Sequence, residues 1–352
     1  MKKRIAFFQN EFTVGGIQKS LLNLLSNFDY DNFDVDLYLF DDNNYWESEL
    51  PRELNIKYQK PVSKLLSFLP FDIAKLFIKP DFKNAGEYDL AIDFNSYQNS
   101  CAAGAIKAPA KKRVMWIHND VGIKLKNEWK YRVLWSLFKG KFKYYDGFVA
   151  VSDGLIEPFS KASGMPKEKI TSIMNYISIK EIREKLSQKP EGFSVDESCF
   201  NLVALGRICH QKAYDIMLDC FADAVKQREE LRLYIIGDGE DRQAIEEQIS
   251  ALGLSDKVFL LGNQQNPFSY MDMMDAFIST SRYEGQPLNI MEAMAVGLPL
   301  YCTKNLEKYC PALTGYEDIT SAIVNAKKEE KKPDDLMDYN STILRQIAEL
   351  CE

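Results

Sequence analysis

The chain has 352 residues, 46% apolar and 27% charged, a soluble globular mixture long enough for two domains. It excludes a disordered chain, a collagen or a small disulfide scaffold. The net charge of −7 is uneven: residues 1–175 carry 25 Lys/Arg against 21 Asp/Glu and residues 176–352 carry 19 against 30, so the acidic second half argues against nucleic-acid binding.

Taken in chain order, Met1-Lys2-Lys3-Arg4 precedes an apolar run, 5–8, that is too short for a signal peptide and is predicted as a buried first strand. No window reaches 18 uninterrupted apolar residues, so no transmembrane helix is expected. Further strand-like runs lie at 35–40, 90–94, 114–118 and 148–151, with helical patterns at 17–28 and 125–138. The polar stretch 185–198 (KLSQKPEGFSVDES) holds Pro190 and Gly192 and reads as a linker. Beyond it, strands are predicted at 202–205, 231–236, 258–261, 276–279 and 298–302, with helices at 214–226, 242–252 and 289–296. A final amphipathic helix carries Leu336, Ile343, Ile347 and Leu350 and has to dock to be stable. Strand–helix alternation twice over predicts an α/β chain with two mainly parallel sheets. The expected boundaries are a first domain over 1–178, a linker over 179–198, a second domain over 199–332, and a helix over 333–352 packing back toward the first domain.

Seven cysteines, odd in number and without CxxC spacing, read as reduced thiols, and two histidines cannot build a His-rich metal centre. Asp41-Asp42, in a polar loop, reads as a solvated pair rather than a metal site. Gly237-Asp238-Gly239 imitates a dinucleotide fingerprint, but bulky Arg242 stands where a third glycine belongs, which argues against NAD.

Two segments carry recognisable chemistry. In 204–215 (ALGRICHQKAYD), Arg207 and Lys212 fall in the loop after a strand, at the edge where open α/β sheets bind ligands. Arginine can grip a diphosphate bidentately and lysine adds a point charge, although a solvated basic loop fits the same residues. In 284–299 (EGQPLNIMEAMAVGLP), Gly285 and Pro287 suit a tight turn, a helix is predicted from Leu288, and Gly297 reads as its C-cap. Glu284 falls on the loop and Glu292 about one turn into the helix. The loop amides and helix amino end make an anion site. Two flanking carboxylates suit polyhydroxyl groups, or serve only to satisfy the helix dipole.

Arg207 and Lys212 in GR-x-x-x-QK, followed by Glu284-x7-Glu292 in EGxPLxIMEAMAxGLP, resemble the family 4 glycosyltransferases of the GT-B fold, of the bacterial capsular and cell-surface polysaccharide type. Other pieces agree in order from about residue 4 to 303: Gly15-Gly16 with Gln18 and Lys19, His118 in VMWIHND, residues 173–177 (IMNYI), 235–239 (IIGDG) and 260–263 (LLGN). Between Cys302 and Tyr316 the chain is shorter and less glycine-rich than the family.

The resemblance implies a GT-B fold, two Rossmann-like domains with parallel sheets facing across a cleft. It implies a retaining, metal-independent hexosyltransferase with no cofactor besides its nucleotide-sugar co-substrate. A hexose or N-acetylhexosamine would pass from that sugar, preferably UDP-linked, to a saccharide acceptor, forming an α-glycoside. Glu284 would hold donor-sugar hydroxyls with the amides of Gly285, Gln286, Pro287-Leu288, and Glu292 the ribose hydroxyls. Arg207 and Lys212 would neutralise the diphosphate, and the turn of Gly262, Asn263 and Gln264 would frame the base. His118 would lie near the reacting sugar, or simply be a hydrogen-bonded strand-end histidine. Gly15 and Gly16 would let the first loop approach the diphosphate and acceptor. The other function class is a non-catalytic GT-B subunit that binds or stabilises a partner glycosyltransferase.

Two stretches bear on the acceptor. Residues 124–143 hold seven basic residues against one acid, interleaved with Trp129, Tyr131, Trp135, Phe138 and Phe142, and residues 64–79 (KLLSFLPFDIAKLFIK) hold Phe68, Phe71 and Phe77. Basic-aromatic segments suit an anionic membrane surface, or are helices with buried apolar faces and a solvated rim. The expectation is a cytoplasmic protein, peripheral at the inner face of the cell membrane, meeting a lipid-diphosphate-linked saccharide.

Overall fold

A computed structural model describes residues 2–13, 15–41, 45, 47–96, 98–334 and 336–352. Asp42, of the aspartate pair, lies outside the described residues. The elements run β1 (Lys3–Gln9), α1 (Gly16–Leu25), β2 (Phe33–Leu39), β3 (Asn55–Tyr58), α2 (Lys64–Ser67), α3 (Phe71–Phe77), β4 (Tyr88–Asp93), α4 (Asn99–Lys107), β5 (Ala110–Ile117), α5 (Val121–Asn127), α6 (Trp129–Phe138), β6 (Gly147–Ala150), α7 (Ile156–Ser163) and β7 (Ile170–Ser172). They continue with α8 (Ile179–Leu186), β8 (Phe200–Leu205), α9 (Tyr214–Val225), β9 (Leu231–Ile236), α10 (Arg242–Ala251), β10 (Val258–Gly262), α11 (Pro267–Met271), β11 (Ala276–Ser279), α12 (Leu288–Val296), β12 (Leu300–Cys302), α13 (Ile319–Val324) and α14 (Met337–Leu350). Two compact units result: residues 1–177 with 337–352, and residues 178–336.

The first unit holds a seven-stranded sheet in the order β3-β2-β1-β4-β5-β6-β7, and the second a five-stranded sheet in the order β10-β9-β8-β11-β12. Every pairing in both is parallel. Helices cover both faces of such sheets, so central strands are buried on both sides and read as unbroken apolar runs; Ile5 to Phe8 and Leu202 to Ala204 are almost wholly buried. Strand order reverses between β1 and β4 in one unit and between β8 and β11 in the other. At these switch points the loops leaving neighbouring carboxyl ends diverge and open a crevice for ligands.

The chain departs from its sequence pattern in four places. β3 and β7 are short outer strands that periodicity does not reveal. The helix expected at 125–138 is split at Glu128, whose extended backbone (φ −113°, ψ 98°) separates α5 from α6. Residues 179–198, expected as linker, begin with α8, because Ile182 is buried and Asn266 Nδ2 donates to Lys185 O at 2.8 Å. The aromatic side chains of 124–143 are core for the most part: Tyr131, Trp135, Phe138 and Phe142 are buried, Trp135 lies 5.2 Å from Phe142, and even Lys141 is inside.

Helix α14 docks on the first unit. Ile343 and Ile347 are buried. Asn340 brackets residue 177, donating from Nδ2 to Ile177 O at 2.8 Å and accepting from Ile177 N at 3.2 Å. At the end of α12, Gly297 has φ +90° and its carbonyl accepts from Lys332 N at 3.1 Å. A Cβ there would lie 2.6 Å from Pro333 N, so only glycine fits both the turn and the returning chain.

Candidate active site

The switch point of the second unit is built by the loops after β8 and β11. The Tyr214 hydroxyl donates to Gly206 O at 3.0 Å, and Thr280 Oγ1 donates to Ala213 O at 2.9 Å. Arg282 N donates to Gln211 O at 2.9 Å, and the Arg282 guanidinium forks onto Asp215 at 2.9 and 2.5 Å while reaching His210 O at 2.7 Å. The two loops are thereby fastened along their length, and His210, exposed, contributes only its carbonyl.

Within that frame Lys212 Nζ lies 2.8 Å from Glu284 Oε1. Gln211 Nε2 donates to Glu284 Oε2 at 3.2 Å and to Tyr283 O at 3.0 Å. Glu284 is only 5% exposed. A buried carboxylate is tolerable only when paired and hydrogen-bonded, and Lys212 and Gln211 meet that condition. Arg207 is different: exposed on the same loop, it makes no hydrogen bond or ion pair among the described residues. A guanidinium at a sheet's carboxyl edge with no partner among the described residues is available to an anion.

Glu284, Gly285, Gln286 and Pro287 form a buried turn, and Pro287 is the N-cap of α12, where it offers no side-chain acceptor. Leu288 opens the helix, and half-buried Glu292 follows one turn later on the same face. The Asn289 amide ties the helix to the sheet by donating to Leu205 O at 2.6 Å. Along the same edge, Gly237 N donates to Gly262 O at 2.8 Å, and Gln264 Nε2 to Leu261 O at 2.6 Å; Asn263 is exposed. A Cβ on Gly237 would lie 2.1 Å from Gly206 O, so that glycine serves a close crossing of two loops. Residues 302–316 close on themselves, with Tyr316 N donating to Cys302 O at 2.8 Å and Lys304 N to Tyr316 O at 3.1 Å.

The first unit carries the remaining residues. Gly15 is the N-cap of α1 with an extended φ of −178°, and Gly16 has no neighbour a Cβ would meet within 4 Å. Nothing in the described chain therefore requires glycine at Gly16. His118 follows β5, buried, its Nε2 2.8 Å from Phe94 O and its ring centroid 4.7 Å from that of Phe94. A carbonyl partner places the proton on Nε2 and leaves Nδ1 as an acceptor. Burial pushes its pKa down to about 4, against the smaller opposing effect of the hydrogen bond, so the ring is neutral at pH 7. Below the same edge Tyr145 donates to Asp93 Oδ2 at 2.6 Å, with Lys141 Nζ 3.9 Å from that oxygen and also bonded to Ser96 O. Burial raises the Asp93 pKa and lowers that of Lys141, each opposed by the other's charge.

The structure thus gathers Arg207, Lys212, Gly262, Asn263, Glu284 to Leu288 and Glu292 on one edge of the second unit. Gly15, Gly16 and His118 stand on the corresponding edge of the first. Sequence reasoning assigned no role to Gln211, Tyr214, Arg282, Asp215 or Asn289, which hold the loops after β8 and β11; the adjacency of Gln211 to Lys212 was the one available signal.

Residues 188–331 match the family described as Glycosyl transferases group 1. The chain is 26% identical over 198 residues to the uncharacterized glycosyltransferase MJ1059 of Methanocaldococcus jannaschii, covering 54% of this chain and 48% of that protein, so it spans about half the length of that relative. It is 23% identical over 306 residues, 86% of this chain and 80% of the relative, to the N-acetylgalactosamine-N,N'-diacetylbacillosaminyl-diphospho-undecaprenol 4-alpha-N-acetylgalactosaminyltransferase of Campylobacter jejuni. Among solved structures, Anabaena Alr3699/HepE in complex with UDP and glucose superposes with a TM-score of 0.66 at 20% identity, covering 98% of each chain. The chain therefore has the GT-B fold of two Rossmann-like units, and its residues 188–331 match the Glycosyl transferases group 1 domain.

Proposed function

We propose that the protein transfers a hexose or N-acetylhexosamine from a nucleotide sugar to a saccharide acceptor. The observation that carries this reading is the Lys212–Glu284 contact of 2.8 Å beside the amino end of α12, with Arg207 unpartnered on the same loop. Bond breaking at the anomeric carbon loads negative charge on the departing diphosphate, and preorganised donors aimed at that charge supply the largest catalytic effect. Arg207, Lys212 and the backbone N–H groups of Gly285, Gln286 and Leu288 are those donors, Pro287 having none, so no metal is called upon. Glu284 accepts donor-sugar hydroxyls, Glu292 accepts the ribose hydroxyls, and Gly262 with Asn263 borders the base. His118, neutral, offers an acceptor rather than a charge to the sugar, and Gly15 and Gly16 keep the first loop open to the diphosphate and acceptor.

In finer terms the donor is UDP-linked and the reaction retaining. The acceptor hydroxyl attacks the face the diphosphate leaves, its proton passing to the departing phosphate, and an α-glycoside results. The acceptor is a lipid-linked saccharide of cell-surface polysaccharide synthesis, met in the cytoplasm at the inner face of the membrane. Two relatives support this reading: the Campylobacter enzyme is named for an α-linkage and a diphospho-undecaprenol acceptor, and the Anabaena protein was solved with UDP and glucose.

The test is UDP release from a panel of UDP-sugars with and without lipid extract. Arg207→Ala should lower turnover at least ~100-fold with stability unchanged within ~0.5 kcal/mol, since the side chain has no partner to lose. Lys212→Ala should lower turnover as much and also destabilise, because Glu284 stays buried without its cation. Near-wild-type turnover in both variants would overturn the assignment, and no release from any sugar would favour a non-catalytic subunit.

A further inference from the structure

Among the described residues no helix is long and apolar enough to cross a membrane, yet one short pair of helices is apolar on two opposite sides. The inner side of α2 and α3 is satisfied: Phe71, Ala74 and Ile78 pack with Ala102 and Ala103 of α4, and Leu66 and Leu69 lie against them. The Asn99 amide pins the pair by donating to Leu66 O at 2.9 Å and Leu69 O at 3.2 Å. The outer side carries Leu65, Phe68, Leu76 and Phe77 at 72, 62, 65 and 63% exposure, with Ile73 also exposed. Scattered surface apolar residues are ordinary, but five large exposed ones within thirteen positions of two consecutive helices are a concentration of the kind that marks an interaction site.

The charges beside the patch say what it meets. Asp72 is the acid of these two helices, and it is already shared by Lys75 at 3.1 Å, Lys143 at 2.9 Å and the Tyr144 hydroxyl at 2.6 Å. Lys107 Nζ caps the end of α3 by donating to Lys75 O at 2.5 Å and Ile78 O at 2.7 Å. Neither Lys107 nor Lys79 pairs with a carboxylate among the described residues. Burial, and then the positive charges of Lys79 and Lys75, lower the Lys107 pKa, so three ammonium groups crowd one another and only Lys75 has a carboxylate beside it. A second copy of this chain would bring the same lysines face to face across a two-fold contact, which disfavours self-association. A sheet of anionic headgroups over acyl chains answers both features, taking the lysines at the headgroups and the leucine and phenylalanine side chains beneath.

We infer that α2 and α3 form the surface by which this protein docks on an anionic membrane, through Leu65, Phe68, Leu76 and Phe77 ringed by Lys75, Lys79 and Lys107. The inference locates the membrane association of the functional reading on this surface, and away from 124–143, whose aromatic side chains are largely core. The test is co-sedimentation of the full chain with vesicles of one part phosphatidylglycerol to two parts phosphatidylcholine, against vesicles of phosphatidylcholine alone, at low salt. Binding should require the anionic lipid. Leu76→Ser with Phe77→Ser should weaken it ~100-fold, as two buried apolar side chains are lost, and Lys79→Glu should weaken it ~10-fold. All these positions are exposed, so the variants should unfold at the wild-type temperature. Trp129→Ser, on α6, should bind as wild type. Overturning results are no binding to anionic vesicles, loss of binding in Trp129→Ser but not in the α3 double variant, or a dimer in gel filtration that the double variant dissolves. None of these readouts uses donor turnover, so failure here leaves the glycosyltransferase reading standing, and failure of that reading leaves vesicle binding standing.

Discussion

Lys212 and Glu284 are 72 positions apart in the chain and 2.8 Å apart in space. Each residue type was readable as suited to the role proposed for it, a cation for diphosphate and a carboxylate for hydroxyls, but their meeting depends on β8 and β11 being neighbours, which only the sheet order supplies. The same limit hid Arg282 and Asp215, whose fork joins two loops that no local pattern connects. His118 shows the opposite case. Its place at a strand end was legible, whereas its burial and its bond to Phe94 O were not, and these set its chemistry. An unfolded histidine titrates near pH 6.5, and His118 is held down to about 4. As pH falls the unfolded chain takes up this proton first. The stability contributed by the neutral ring is complete above about pH 6.5 and is lost on the way to about pH 4, an effect of about 2–3 kcal/mol. Denaturant unfolding of wild type and His118→Gln, compared at about pH 7.5 and about pH 4.5, should show the wild type losing that much more than the variant. Equal losses would mean the ring is not held neutral by the fold.

Element by element, legibility followed burial. Strands buried on both faces, such as β1, β4, β8 and β9, stood out as apolar runs. β3 (NIKY) and β7 (ITS) did not, because a three- or four-residue outer strand that is half exposed has no pattern to distinguish it. Apolar composition also could not tell inside from outside among the basic-aromatic segments: in 124–143 most aromatic side chains turned inward, while in α2 and α3 the outer row stayed out. The terminal helix α14 was legible as amphipathic, but its anchor was not. Asn340 is 8% exposed and satisfies both polar groups of Ile177, standing in for a backbone partner where the sheet has ended. Asn340→Ala should therefore cost about 2–4 kcal/mol, since a buried N–H and a buried carbonyl both lose their partner. Asn340→Asp, which retains the acceptor alone, should not restore it. Urea unfolding followed by tryptophan fluorescence is a suitable readout, because the described tryptophans, Trp116, Trp129 and Trp135, lie in the first unit. A loss under about 0.5 kcal/mol in Asn340→Ala would mean that solvent replaces the bonds and that the helix is not docked as described.

At the scale of the whole molecule, the two units are not equivalent as pieces of chain. The second is one continuous segment, residues 178–336, and the first is interrupted, needing residues 337–352 from the far end. The second unit also has its own core, in which Leu202, Leu218, Phe221, Leu233 and Ile278 are fully buried among residues of the same segment, and Arg207, Lys212, Gly262, Asn263, Glu284 to Leu288 and Glu292 all lie within it. A segment with a complete sheet, its covering helices and a closed core should fold alone. The fragment 178–336 should therefore unfold cooperatively and be stabilised by UDP in a thermal-shift measurement. The fragment 1–177 lacks α14, which buries Ile343 and Ile347 and pairs the backbone of Ile177. That apolar surface would be left to water, so 1–177 should be aggregation-prone and become soluble when 337–352 is fused to its end by a flexible linker. If 178–336 proved unfolded, or if 1–177 were as stable without the helix as with it, the division of the chain into these two units would be wrong. If 178–336 folded but ignored UDP, the fold would stand and the assignment of Arg207, Lys212, Glu284 and Glu292 to a nucleotide sugar would fall.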